Sequence, residues 1–182
     1  MPEDDRRRRF ETAALPWLDA AYNLARWLTR NPHDAEDVVQ EAYLRAFRYF
    51  DGFKGGDARP WLLSIVRHTA YSWLQKRGLV LEGKLGDRLD DHDGITEDGD
   101  TAADPETQAL SAATREQVRA ALEALPCEFR EVLVLRELED MSYKEIAAVA
   151  GIPMGTVMSR LARGRKLLRA NLVAAEGPRN GM

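Results

Sequence analysis

Cysteine is nearly missing from these 182 residues: Cys127 is the only one, which excludes an internal disulfide and a multi-cysteine zinc site. No apolar run approaches the roughly 20 residues needed to cross a bilayer, so no membrane insertion is expected. The charged start, Met1 to Arg9, leads into no hydrophobic stretch; a secretory signal is not expected, and a cytoplasmic location is. Also missing are a glycine-rich phosphate loop, a nucleophile–histidine pair at recognisable spacing and a metal-ligand cluster. The expectation is therefore no enzymatic activity, no cofactor and no metal. Sustained strand alternation is lacking too, which leaves an all-α chain.

A net charge of −4 looks unfavourable for a nucleic-acid binder until it is divided along the chain. Residues 79–110 hold 2 basic and 10 acidic side chains, whereas 1–78 hold 13 and 11 and 111–182 hold 11 and 9. The acidic excess sits in the middle, among Gly83, Gly86, Gly94, Gly99 and Pro105. Such a segment buries too little apolar surface to offset chain entropy, and reads as a flexible acidic linker. The organisation expected is a first helical domain over 8–78, the linker over 79–110 and a second helical domain over 111–175.

Helical periodicity organises both flanks. Phe10, Ala14, Trp17, Ala21, Leu24 and Leu28 recur at three- and four-residue steps. Asn31-Pro32 ends that helix and starts another, with Asn31 placed to cap, Pro32 at the first helical position and Asp34 in the first turn. A glycine-containing loop, Phe50–Arg59, precedes a helix from about Pro60 to Arg77. Its Trp61, Leu62, Ile65, Val66 and Trp73 are assigned to the core. In the second domain, helices are expected over about Ser111–Leu125 and Glu128–Leu138. Ser142-Tyr-Lys-Glu145 has the form of a capping box opening a short helix, Lys144–Ala150. Gly151-Ile-Pro153 turns the chain into a last helix from Thr156 to about Leu172. Arg6–Arg9 read as a solvated tail and Cys127 as ordinary core.

A short helix, a glycine turn and a longer basic helix are the parts of a DNA-binding helix-turn-helix, in a tri-helical or winged-helix-like domain. Val157, Leu161, Leu168 and Leu172 give the last helix one apolar face, and residues 153–173 contain no acid. Bases are read near the N-terminal part of such a helix, which nominates Thr156, Met158, Ser159, Ala162 and Arg163. Arg160, Arg165, Lys166 and Arg169 suit phosphates.

Three stretches of the first domain decide among helix-turn-helix proteins. Asp34-Ala-Glu-Asp-Val-Val-Gln-Glu-Ala-Tyr43, Phe53-Lys-Gly-Gly-Asp57 and Pro60-Trp-Leu-Leu-Ser-Ile-Val-Arg-His-Thr-Ala70 resemble the second region of bacterial RNA polymerase sigma factors. Leu125-Pro126, Ser142-Tyr-Lys-Glu-Ile-Ala147 and Gly155-Thr-Val-Met-Ser-Arg-Leu-Ala-Arg163 resemble their fourth region. With only a linker between them, the chain is similar to the extracytoplasmic-function (ECF) group of the sigma-70 family. That resemblance implies an alternative sigma factor that directs core RNA polymerase to promoters. It also implies docking of the first domain on the clamp coiled coil of the largest polymerase subunit, contact of region 4 with the polymerase flap, and restraint by an anti-sigma factor.

The resemblance assigns roles to residues. Asp34, Asp37 and Glu41 follow one stripe of a helix, with Glu36 and Gln40 alongside, as the polymerase-docking face. The Phe50–Arg59 loop is implied to receive a base flipped from the minus-ten element, with Phe53 to stack and Lys54 and Arg59 for phosphates. Arg67, His68, Tyr71, Lys76 and Arg77 lie on the helix beyond it. His68 stands where many relatives carry asparagine, and Met158 where they carry a basic residue. Arg136 and Lys144 match positions that touch the DNA backbone, and the last helix is implied to read the minus-thirty-five element. About thirty flexible linker residues span roughly 30 Å, near one DNA turn of about 34 Å. The competing reading is a stand-alone helix-turn-helix regulator with a helical dimerisation domain.

Overall fold

Residues 2–78 and 114–176 are described by a computed structural model of the chain. The linker expected over 79–110 falls outside the described residues. All described regular structure is helical. In the first half, α1 is Glu3–Ala14, α2 is Leu18–Thr29, α3 is Pro32–Arg48 and α4 is Ala58–Lys76. In the second, α5 is Arg115–Glu123, α6 is Cys127–Leu133, α7 is Tyr143–Ala150 and α8 is Met154–Ala175.

Local chemistry explains most boundaries. The single helix expected from Phe10 to Leu28 is broken by a 3-10 turn, Leu15–Trp17. Pro16 causes the break, because it lacks an amide proton and its ring clashes with the preceding turn. Asn31 caps α3 as expected, its side-chain oxygen accepting from the amides of His33 and Asp34 at 2.9 and 3.1 Å. Asp57 accepts from the Arg59 amide at 3.0 Å and starts α4 two residues before the expected Pro60. Ser142 and Glu145 form the reciprocal capping box of α7. Gly151 then takes the left-handed backbone that stops α7, at φ 67°.

Two departures are larger. The helix expected to continue to Leu138 widens into a π-helical turn over Val134–Leu138, where the Glu139 amide donates to the Val134 carbonyl at 3.1 Å. The basic run Arg6–Arg9 is not a tail but part of α1. Arg6 donates to the Phe47 carbonyl at 2.6 Å and to Asp51 at 3.1 Å, and its guanidinium lies 4.5 Å from the Phe47 ring centre.

Helices α2, α3 and α4 pack on one another, and α8 packs across α5, α6 and α7. The two halves also meet: α4 lies against α7, and α2 against α6. One apolar cluster runs through both, from Leu24, Leu28, Val38, Leu63 and Val66 to Val132, Leu135, Met141, Ile146 and Leu161. A smaller cluster of Phe10, Ala46, Phe50 and Leu62 closes the far side of the first half. Gly164 is required where α8 crosses α6, since a Cβ there would sit 3.1 Å from the Leu133 side chain.

Candidate nucleic-acid and polymerase interfaces

The acidic stripe occupies the solvent side of α3, because Ala35, Val38, Val39 and Ala42 turn the opposite face inward. Glu36, Asp37 and Gln40 are exposed. Asp34 is partly covered and pairs with Arg77 at 3.1 Å, while Glu41 pairs with Arg45 one turn on at 2.6 Å. The Glu36 and Asp37 carboxylates and the Gln40 amide therefore share one accessible face.

Between the end of α3 and α4 lies a cleft of about 530 Å³, lined by Arg45, Arg48, Tyr49, Ser64, Ile65 and His68. His68 is exposed there, and three of its neighbours were not singled out by the sequence reading: Arg45, Arg48 and Tyr49. Lys54, Lys76 and Arg77 are exposed as well. Gly55 and Gly56 hold φ of 88° and 86°, a conformation that other residues rarely adopt, and they turn the loop between Phe53 and α4. Phe53 does not stand clear of the protein: its ring lies 5.0 Å from Trp61 and 6.0 Å from Phe50, centre to centre. Tyr71 is buried at 5% exposure, and burial drives its phenol well above the usual range.

In the helix-turn-helix, Val157, Leu161 and Leu172 bury one face of α8 as expected. Met158, Arg165, Lys166 and Arg169 are exposed, with Thr156, Ser159, Ala162 and Arg163 partly so. The Ser159 hydroxyl donates to the Gly155 carbonyl at 3.0 Å, which fixes its direction. Lys144, on α7, is exposed. Arg136 donates to the Met141 carbonyl at 2.9 Å and stacks 4.7 Å over the Tyr143 ring; Arg165 pairs with Glu137 at 2.9 Å.

Two structural comparisons and two family models agree on what these parts compose. Residues 15–79 match the model for sigma-70 region 2, and residues 115–168 match the model for sigma-70 region 4. The chain is 37% identical over 153 residues to the ECF RNA polymerase sigma factor SigE of Mycolicibacterium smegmatis, covering 83% of this chain and 56% of that one. It is also 37% identical over 139 residues to the ECF RNA polymerase sigma-E factor of Escherichia coli K12, covering 74% of this chain and 72% of that one.

The chain belongs to the ECF sigma factors of the sigma-70 family.

Solved relatives extend the likeness to the fold. The sigma factor RpoE of Bartonella quintana, in complex with the anti-sigma factor NepR, matches at a TM-score of 0.67 and 27% identity, over 91% of this chain and 97% of that one. CnrH, in complex with the cytosolic domain of CnrY, matches at 0.64 and 25%, over 92% and 90%.

Three arginines of the expected DNA set point elsewhere than to solvent. Arg160 is 2% exposed and faces Glu131 at 3.9 Å. Arg67 of region 2 donates to the same Glu131 from Nε and Nη2, at 2.7 and 3.1 Å. Arg59 donates to the Glu139 carbonyl at 3.1 Å and to Glu145 at 3.0 Å, both in region 4. Reading α8 as a basic surface helix placed Arg160 on the outside; it lies between Val157 and Leu161 on the buried stripe. Glu131, which no motif had flagged, is wholly buried.

Proposed function

We propose that the chain binds core RNA polymerase through the acidic face of α3 and directs it to specific promoters. The observation that carries this reading is the conjunction of two separate surfaces in one chain. An accessible carboxylate face on region 2 suits a basic polymerase element, and a capped helix-turn-helix on region 4 suits the major groove. The helix-turn-helix alone suits a stand-alone regulator equally well, but such a regulator has no use for the acidic face.

Asp34, Glu36, Asp37, Gln40 and Glu41 are assigned to docking on the polymerase clamp, with region 4 meeting the flap. Phe53, Lys54, Arg59, Arg67, His68, Tyr71, Lys76 and Arg77 are assigned to the minus-ten element. Arg136, Lys144, Thr156, Met158, Ser159, Arg160, Ala162, Arg163, Arg165 and Lys166 are assigned to the minus-thirty-five element. Of these, Arg59, Arg67 and Arg160 require a rearrangement before they meet DNA, and Tyr71 acts through packing beneath Arg67, 4.4 Å from its guanidinium. The chemistry asked of the protein is recognition and strand capture, and the polymerase supplies catalysis. Restraint by an anti-sigma factor is supported by the solved relative held by NepR. Among the described residues no helix is long and apolar enough to cross a membrane, in keeping with action beside a soluble polymerase.

Run-off transcription with core polymerase on a promoter library tests the assignment. Initiation at a defined subset of promoters, only with both components present, is expected. Absence of core-dependent initiation together with stable homodimerisation would overturn it in favour of a regulator.

A further inference from the structure

The two halves of this chain are joined where their DNA residues should be. Glu131 has no exposed side-chain surface, yet carries a charge in the path of two arginines from different regions. Arg67 meets it with a two-pronged guanidinium contact from α4, the arrangement with which arginine also grips a phosphate. Arg160 approaches the same oxygen, Oε1, from α8. A second acid repeats the pattern at the rim, where Glu145 and the Glu139 carbonyl hold Arg59. Around them, Arg130 donates to the Leu28 carbonyl at 3.4 Å and Arg30 to the Glu123 carbonyl at 3.0 Å, again across the two halves.

We infer that Glu131 is an internal phosphate mimic: its carboxylate latches Arg67 of region 2 to region 4 and withholds that arginine from DNA until the halves separate. The inference rests on the promoter-binding reading, and adds to it a residue outside every DNA or polymerase motif. Stability alone is a poor reason for such a group. A buried ion pair barely recovers the desolvation of its charges, and an apolar pair of similar volume would bind the halves at least as well. What the pair offers is reversibility. On separation, Arg67 and Glu131 return to water and regain hydration, so opening costs less than parting an equivalent apolar surface. Arg67 then exchanges the Glu131 carboxylate for water or for a DNA phosphate. A ligand opens the chain only through its preference for the separated form; promoter DNA has that preference through the hidden Arg67, and polymerase through holding region 2 at the clamp and region 4 at the flap.

The experiment uses the full chain without polymerase. Dyes are placed at Leu44→Cys and Val173→Cys, both strongly exposed, in a Cys127→Ser background. Energy transfer then reports separation of the halves, and anisotropy of a labelled mixed-sequence duplex of about 30 base pairs at low salt reports phosphate binding. Glu131→Gln keeps the shape and removes the charge; transfer falls and duplex affinity rises on the order of tenfold or more. Arg67→Ala opens the same contact from the region 2 side while leaving every region 4 residue in place, so its transfer decides the matter if Glu131→Gln loses helix content by circular dichroism. Duplex affinity is read only in Glu131→Gln, because Arg67→Ala removes the phosphate-gripping arginine itself. Unchanged transfer in both folded variants overturns the latch, as does opening of Glu131→Gln without any gain in duplex affinity. A failure of the promoter reading looks different, because the unaltered chain would then give no core-dependent run-off.

Discussion

The acids of α3 and the arginines of α4 and α8 are treated oppositely by the same fold. Glu36, Asp37 and Gln40 stand in solvent, whereas the side chains of Arg59, Arg67 and Arg160 keep only 18%, 17% and 3% of their exposure. Glu36 and Asp37 need no partner because water solvates them, and Asp34 and Glu41 find theirs at the surface in Arg77 and Arg45. The arginines can be taken inside only because Glu131 and Glu145 meet them there, since an unpaired buried charge is far too costly. Glu145 illustrates the balance: burial pushes its carboxyl up, and hydrogen bonds from Arg59 and Ser142 outweigh that and hold it below the usual range. In the free chain, then, the surface assigned to polymerase is open and part of the surface assigned to DNA is closed. On the function proposed above, such a difference would order the two encounters, polymerase first and promoter second.

The contrast can be broken most severely at Arg160. Arg160→Ala leaves Glu131 with one partner fewer in the interior, and unfolding stability measured in urea should fall by about 3 kcal/mol. An exposed DNA-contacting arginine would show almost no such loss. On the open side, Glu36→Lys combined with Asp37→Lys should weaken core-polymerase affinity on the order of a hundredfold by placing like charges together. Energy transfer between the halves should not change in that variant, as both residues lie away from the closed contact. Arg163 is among the accessible residues assigned to DNA, so Arg163→Ala should reduce promoter affinity of the polymerase complex about tenfold at one base position with little change in stability. The smallest effect concerns pH. Because the Glu145 carboxyl is depressed below its ordinary value of 4.5, its tie to Arg59 is complete above that value and is lost as pH falls through the lower one. Energy transfer should thus hold from pH 7 to about 5 and decline only on further acidification.

Local features of this fold were legible because each is encoded within one turn of chain. Asn31-Pro32 announces the start of α3, Ser142 and Glu145 that of α7, and Val157, Leu161 and Leu172 the buried side of α8. What escaped depends on partners distant in sequence. Arg160 and Gly164 fall three and seven residues after Val157, on the very stripe that is buried, and the spacing was the available signal. Charge type outweighed position in the reading of Arg160, and only Glu131, 29 residues earlier, makes its burial intelligible. Gly164 looks like a weak point in a helix until Leu133 and Phe129 are seen against it. Arg30 holds a left-handed φ of 58° and reaches the Glu123 carbonyl, a geometry without local signature. The arrangement of the halves belongs to the same class, since it follows from pairs such as Arg67 with Glu131 that are 64 residues apart.

An open polymerase surface beside a closed DNA surface can be checked by titrating a labelled promoter duplex with the unaltered chain, with and without core polymerase at physiological salt. The chain alone should show no measurable duplex binding, and adding core polymerase should give tight, promoter-specific binding. Equal promoter affinity in the two titrations would mean that the DNA surface is not closed.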